Sequence, residues 1–316
     1  MPELLRAATR EYRSVIMDSH RWDGYQPRAD DIIVATYPKC GTTWTQRIVD
    51  LLVFQSPDPR PFGRTSPWLD AKIFATIEQD LATLDAQTHR RFIKTHLPYD
   101  SVPIYEGVKM IHVARDGRDA CMSMHNHMRG FRPEIVAAIA AAAMADGTAT
   151  ERPPETPEDP RDYYLQWIAE AQRGARPDDV PFFEFENTYW SRRTLPDLLF
   201  VHFNDLKADL AGEIRRIADF LGIDTPESLL PDLARAASFE TMKSQAGEML
   251  PELSMAFDHG ADRFINKGTN GRWKDVLSEA DLEPYHALVR ARFTPAEARW
   301  IEHGRLVAGD PRELPD

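Results

Sequence analysis

The chain has 316 residues, 42% hydrophobic and 28% charged, the composition of a globular protein able to bury a large core as one α/β domain or two smaller ones. A formal net charge of -12 argues against nonspecific nucleic-acid binding, so an anionic ligand must be drawn into a local basic pocket. Two cysteines provide no disulfide framework, the N-terminus lacks an apolar leader, and no run is long enough to span a bilayer; a cytoplasmic protein is expected.

The amphipathic start predicts a helix over residues 3 to 17, followed by a polar lead-in. Asp31 to Ala35 then reads as a buried strand, β-branched at Ile32, Ile33 and Val34. Tyr37-Pro38-Lys39-Cys40-Gly41-Thr42-Thr43 cannot continue it, because Pro38 lacks a donor and Gly41 breaks regularity. Helical spacing resumes with Trp44, Ile48, Leu51 and Leu52 on one stripe. A strand feeding a helix N-terminus through a polar loop makes an anion site. First-turn N–H groups point outward, and Lys39 and the threonines add a charge and hydroxyls. The order differs from the G-x-x-x-x-G-K-[ST] nucleotide loop, and an ordinary strand–turn–helix is the competing reading. Cys40 reads as a small buried residue.

Residues 55 to 67 form a long Pro- and Gly-rich surface segment, and residues 71 to 85 read as helix. Arg91 to Pro98 is a short strand ending in a turn. Lys94 and His96 share one face of it, a pairing suited to deprotonating a hydroxyl beside a positive charge, although a lone His in a turn is commonly structural. Lys109 to Ala114 is a strong strand. Arg115-Asp116-Gly117-Arg118-Asp119 after it makes either a second anion cradle, with Arg115 and Ser123 on one side, or an Arg–Asp cap. An Ala-rich helix is expected over residues 134 to 145 and a mobile loop, a candidate lid, over 148 to 161. A helix over residues 163 to 172 and an aromatic stretch from Phe182 to Trp190 follow. Leu198 to Phe203 is a strand, and Asp209 to Leu221 is a helix closed by Gly222. Strands alternating with helices imply a mostly parallel sheet with ligands at the strands' carboxyl ends. Asp262-Arg263-Phe264-Ile265-Asn266-Lys267-Gly268-Thr269-Asn270-Gly271-Arg272-Trp273-Lys274 is a basic loop with glycines that admit close backbone approach to an anion, or else a flexible surface loop.

Tyr37 to Trp44 resembles the Y-P-K-S-G-T-T-W loop of cytosolic-type sulfotransferases, with Cys40 in place of Ser. Lys94-Thr95-His96-Leu97-Pro98 is similar to their K-T-H-L-P segment. Arg115 with Ser123 matches R-[ND]-x-x-D-x-x-x-S, and Lys267-Gly268 with Gly271 and Trp273 matches R-K-G-x-x-G-x-W, Asn266 standing for Arg. These matches span residues 31 to 274 in the family's order, and the chain is identified as a bacterial member. The resemblance implies a single three-layer α/β domain over residues 1 to 316, a parallel sheet flanked by helices in the P-loop kinase-like fold. It implies sulfuryl transfer from 3′-phosphoadenosine 5′-phosphosulfate, without a metal, to a hydroxyl or less readily an amine. It assigns His96 as base, and Lys39 and Lys94 to the transferring group. The loop Lys39, Cys40, Gly41, Thr42 and Thr43 would take the 5′-phosphosulfate. Arg115, Ser123, Ser238, Asn266, Lys267 and Gly268 would take the 3′-phosphate side, and Trp44, Phe203 and Phe239 the adenine.

Phe182, Phe183, Phe185, Tyr189, Trp190 and Tyr99 form either core or an apolar acceptor pocket for a phenol, sterol or lipid-like alcohol. Lys274 to Glu283 keeps only the ends of the family's K-x-x-x-T-V-x-x-x-E dimer motif, leaving monomer or homodimer open. The competing functions are an ATP-dependent small-molecule kinase, which the missing G-K-[ST] disfavours, and a nucleotide-binding module without turnover, which would need no base.

Overall fold

The computed structural model describes residues 2–151 and 154–315. Its centre is a parallel sheet in the order β3-β2-β5-β6, formed by β2 (Ile32–Thr36), β3 (Phe92–Thr95), β5 (Lys109–Ala114) and β6 (Leu198–His202). A small antiparallel pair, β1 (Leu4–Arg6) with β4 (Ile104–Tyr105), lies apart from it.

Strand parity explains why both faces are covered. Ile33 and Ala35, Met110 and Ala114, and Leu198 and Phe200 enter one core. Their neighbours Ile32 and Val34, Ile111 and Val113, and Leu199 and Val201 enter the other. Successive residues point to opposite faces, so strands apolar at both parities require helices on both sides. Helices Gly117–Met128, Pro160–Arg173, Phe182–Trp190 and Glu279–Arg292 cover the first face. Helices Thr42–Phe54, Leu210–Leu221 and Leu230–Ala236 cover the second. Three layers result, as expected. At the amino edge, Asp31 is ion-paired to Arg91 and accepts from the Tyr25 hydroxyl at 2.6 Å, tying the starts of β2 and β3 together. Removing one partner of such a buried pair costs about 3–5 kcal/mol.

Several local expectations need correction. Residues 3 to 17 are not helical: Leu4–Arg6 is a strand, and the Arg6 guanidinium donates to the carbonyls of Tyr99 and Val102 at 2.7 and 2.8 Å. Tertiary pairing overrides the helical pattern there. The helix expected from residue 71 starts at Ile77, where Thr76 and Gln79 form a capping box. Strand β6 stops one residue short of Phe203, because the His202 ring accepts from the Asn204 amide and caps a new helix, Phe203–Ala208. The 148 to 161 segment includes residues 152 and 153, which lie outside the described residues. From Pro160 it is helix, and none of its described residues lines the main cavity. The aromatic stretch is a helix whose Phe182, Phe183, Phe185, Tyr189 and Trp190 are core, as is Tyr99, so they form no pocket. Where the family's dimer motif has Thr-Val, Ser278 caps the Glu279–Arg292 helix in a box with Asp281.

Candidate active site

Strands β2, β3 and β5 and the helix after β6 deliver their carboxyl-end residues to one cavity of about 1040 Å³. A third apolar cluster, with Phe62, Met242, Met249, Leu250, Leu253 and Phe257, closes its outer wall.

The loop after β2 turns on two left-handed residues, Lys39 (φ 71°) and Gly41 (φ 115°). Only glycine suits the second: a Cβ at Gly41 would sit 3.2 Å from the Phe203 ring. Gly41 offers no side chain to the helix it precedes, so no side-chain cap occupies the first-turn N–H groups of Thr42–Phe54. Thr42 and Thr43 line the cavity. Cys40 does not. Its side chain is fully buried in the core, its amide donates to the Tyr37 carbonyl, and burial pushes its thiol well above the ordinary range. The side chain is the small buried residue the sequence suggested, its thiol joining apolar neighbours without an unmet hydrogen bond; of the loop residues expected to take the 5′-phosphosulfate, it alone does not line the cavity.

Lys39 and Lys94 both line the cavity, and neither has a carboxylate within ion-pair distance among the described residues. The Lys39 ammonium lies 3.4 Å from His127 Nδ1 and over the Phe264 ring at 4.3 Å. Burial, then Lys94 and Arg115, lower its pKa to about 7. The Lys94 ammonium sits over the Trp68 ring at 4.0 Å, and burial lowers its pKa to about 8. Two desolvated cations without anions form a site that an anion stabilises.

His96 is adjacent. Its Nδ1 lies 2.8 Å from the Thr36 carbonyl and 3.1 Å from the Thr36 hydroxyl. A carbonyl only accepts, so Nδ1 carries the proton and Nε2 carries the lone pair, on a ring that lines the cavity. Burial and Lys94 hold its pKa well below 6.5, so the ring is neutral. Thr36 also bonds Thr42 at 2.6 Å, linking the loop to the imidazole. Trp68 packs edge-on to the His96 ring at 4.9 Å, while Asp70 accepts from the Trp68 indole at 2.8 Å and the His96 amide at 3.2 Å.

At the other end, Arg115 is distinct from the Arg–Asp cap: Asp116 caps the helix and pairs with Arg118 instead. The Arg115 guanidinium lies over Phe203 at 4.1 Å and donates to the Thr269 carbonyl and to Asn270 Oδ1 at 3.0 and 2.7 Å. Lys207 holds the Gly268 carbonyl at 2.9 Å and Lys243 holds that of Asn266 at 3.0 Å, so three cations fasten the 266–270 loop over the cavity. Gly268 is left-handed, and a Cβ there would fall 2.6 Å from Phe239. Trp44 meets Phe203 edge-on at 5.3 Å and donates to the Ala237 carbonyl at 2.8 Å. Ser238 caps the Phe239–Ser244 helix while lining the cavity, as do Ser123, Phe239, Asn266, Lys267 and Arg272. Asp262, Arg263 and Phe264, expected in the basic loop, belong instead to the helix Gly260–Phe264, and Arg272 is the arginine of that segment that lines this wall.

Every expected site residue except Cys40 thus faces one cavity. Sequence reasoning missed Thr36, Trp68, Asp70, His127 and Asn270. Thr36, last in its strand, and Asn270, inside the basic loop, carried a positional signal; the others carried none. Among the described residues there is no group of three or more His, Cys, Asp or Glu able to hold a metal, and no helix long and apolar enough to cross a membrane.

A family model described as a sulfotransferase domain matches residues 29–296. The chain is 35% identical over 311 residues to a glycolipid sulfotransferase of Mycobacterium bovis, covering 93% of this chain and 94% of that one. It is 36% identical over 318 residues to a glycolipid sulfotransferase of Mycobacterium tuberculosis, with the same coverage. Rat sulfotransferase 1A1 is 26% identical over 282 residues, covering 86% and 87% of the two chains. Two solved structures share the fold. A mouse sulfotransferase complexed with PAP superposes with TM-score 0.62 at 22% identity, covering 86% and 87% of the two chains. Retinol dehydratase with androsterone and inactive cofactor PAP gives 0.64 at 24%, covering 86% and 83%.

Proposed function

The chain belongs to the sulfotransferase domain family, and on that premise we propose that it transfers a sulfuryl group from 3′-phosphoadenosine 5′-phosphosulfate to a hydroxyl of a lipid-like acceptor. The observation that carries this reading is the His96 ring, pinned by Thr36 as a neutral base beside two half-buried ammonium groups that have no carboxylate partner among the described residues.

The fit to the donor follows from charge. Lys39, Lys94 and the first-turn amides suit the 5′-phosphosulfate. Arg115, Lys267, Gly268 and Arg272, with Ser123 and Ser238 beside them, suit a 3′-phosphate. Trp44, Phe203 and Phe239 offer aromatic surface to the adenine. The donor supplies a sulfuryl group already activated by its phosphate partner. The chain's own residues do the remainder. His96 Nε2 takes the acceptor proton, and Thr36 keeps the ring in that tautomer. Lys39 and Lys94 stabilise the negative charge that develops on the transferring group. The mouth is apolar, with Phe74, Met128, Val136 and Ile139, and the relatives named glycolipid sulfotransferases favour an amphiphilic alcohol over a small polar one.

The test is transfer from this donor to a panel of a phenol, a sterol and a neutral glycolipid, read as release of adenosine 3′,5′-bisphosphate. Turnover that His96→Asn removes, with bisphosphate binding retained, supports the reading. Turnover driven by ATP and not by the phosphosulfate overturns it.

A further inference from the structure

The cavity lining contains three carboxylates, Asp80, Glu240 and Glu252. Two are accounted for. Asp80 is ion-paired to Arg21 at 2.6 Å, and Glu240 is solvent-exposed beside Phe239 at the donor end. Glu252 is different. It precedes the Leu253–Ala256 helix yet does not cap it with its side chain, and it is half-buried among Leu250, Leu253 and Phe257. Its carboxylate has no ion pair and no hydrogen bond to another residue among the described ones; only its own backbone amide faces it. Burial raises its pKa while Lys94 pulls the other way, so the two side chains feel each other across the cavity without touching.

The Glu252 oxygens take no hydrogen bond from another described side chain and stay open to the cavity, and each can accept more than one from whatever fills it. Three kinds of acceptor would meet it differently. An anionic headgroup is repelled. A cationic headgroup meets Lys39 and Lys94 in the same lining as well as Glu252, so attraction and repulsion oppose each other. A neutral headgroup with several hydroxyls supplies donors in place of water without adding charge, while its apolar part lies along Val136 and Ile139. We infer that Glu252 is a specificity-determining residue that binds the non-reacting hydroxyls of a sugar-headed, uncharged acceptor, selecting it over acceptors with a single hydroxyl. The assignment rests on the sulfotransferase reading above.

The experiment compares octyl glucoside with 2-naphthol as acceptors, in wild type, Glu252→Gln and Glu252→Ala, with octyl glucoside binding to the bisphosphate-loaded protein measured by calorimetry. Loss of a hydrogen bond to a charged group predicts that the glucoside-to-naphthol ratio of kcat/KM falls about tenfold in Glu252→Gln, through KM, and further in Glu252→Ala. Calorimetric affinity for the glucoside should fall in parallel, with bisphosphate affinity as the control for folding. A ratio and a glucoside affinity both unchanged within about twofold would overturn the assignment and leave the enzyme reading standing. Wild type that transfers to neither acceptor would instead overturn the reading on which it rests.

Discussion

The two ends of the cavity are built on different principles. The donor end is polar and local. Lys39, Thr42 and Thr43 come from one loop, Arg115 from the end of the next strand, and Lys267 and Gly268 from a loop that Arg115, Lys207 and Lys243 fasten. The acceptor end is apolar and dispersed, assembled from Phe62 and Phe74, Met128, Val136 and Ile139, and Leu250 and Phe257. The contrast reflects what each must do. An anion needs donors at fixed positions, so its site depends on spacing within a few residues. An apolar tail needs only volume and dryness, which distant side chains supply interchangeably.

The largest effect that separates the ends is at their junction. His96→Asn should lower kcat by about 10²- to 10⁴-fold, the usual worth of a positioned base, and leave calorimetric affinity for adenosine 3′,5′-bisphosphate near wild type. Loss of both together would mean that the imidazole builds the donor end and not the chemistry. Next comes Arg115→Ala. It should weaken the bisphosphate by about 10- to 100-fold, the range expected for charge-assisted hydrogen bonds, and weaken ATP far less. An equal loss for both nucleotides would show that Arg115 acts only by holding the 266–270 loop.

The same contrast governs what was legible in the sequence. The sheet was readable because β2 and β5 are apolar at both parities, a pattern only a doubly covered strand tolerates. The donor end was readable because its charges sit at strand ends and helix starts, and its match to family motifs follows from that. Trp68 and Asp70 were not readable. They hold Lys94 and His96 through a bridge between Trp68 and Lys94 and through the His96 amide, contacts that span some 26 residues of sequence. The acceptor wall was misplaced for a related reason. A dense aromatic run such as Phe182 to Trp190 is as good a core as a pocket, and only its packing on the sheet's first face decides between them.

A smaller effect, graded by pH, sharpens the comparison. Burial lowers the pKa of Lys39 to about 7 and that of Lys94 to about 8. An anion favours their charged forms. Well below pH 7 both are protonated and add no further pH dependence, and the ligand's own phosphates, which gain a proton at about pH 6, then govern affinity. As pH rises through 7 and then 8, binding must take up protons, and affinity should fall by up to about tenfold per pH unit for each proton gained. Calorimetry in buffers of different ionisation enthalpy measures that uptake directly. His96, held well below 6.5, adds no acid limb to kcat near neutrality. Affinity that stays flat from pH 6 to 9 would mean the two ammonium groups do not meet the ligand.

The smallest expected effect belongs to the acceptor wall. Val136 lies on the Pro133–Ala145 helix, lines the cavity and is 39% exposed, so it forms the rim and not the core. Val136→Thr keeps the shape and replaces one methyl with a hydroxyl, which an apolar tail would have to desolvate. About 1 kcal/mol is at stake for such a partly exposed group, so kcat/KM for a long-chain alcohol should fall about fivefold. Bisphosphate affinity should not move, because Val136 offers the phosphates neither charge nor hydrogen-bond donor. A polar wall that weakened the bisphosphate would show that the two ends are coupled through the helix. A wall that changed neither would mean the acceptor's tail leaves the cavity by another side, with Phe62 and Leu250 the next residues to exchange.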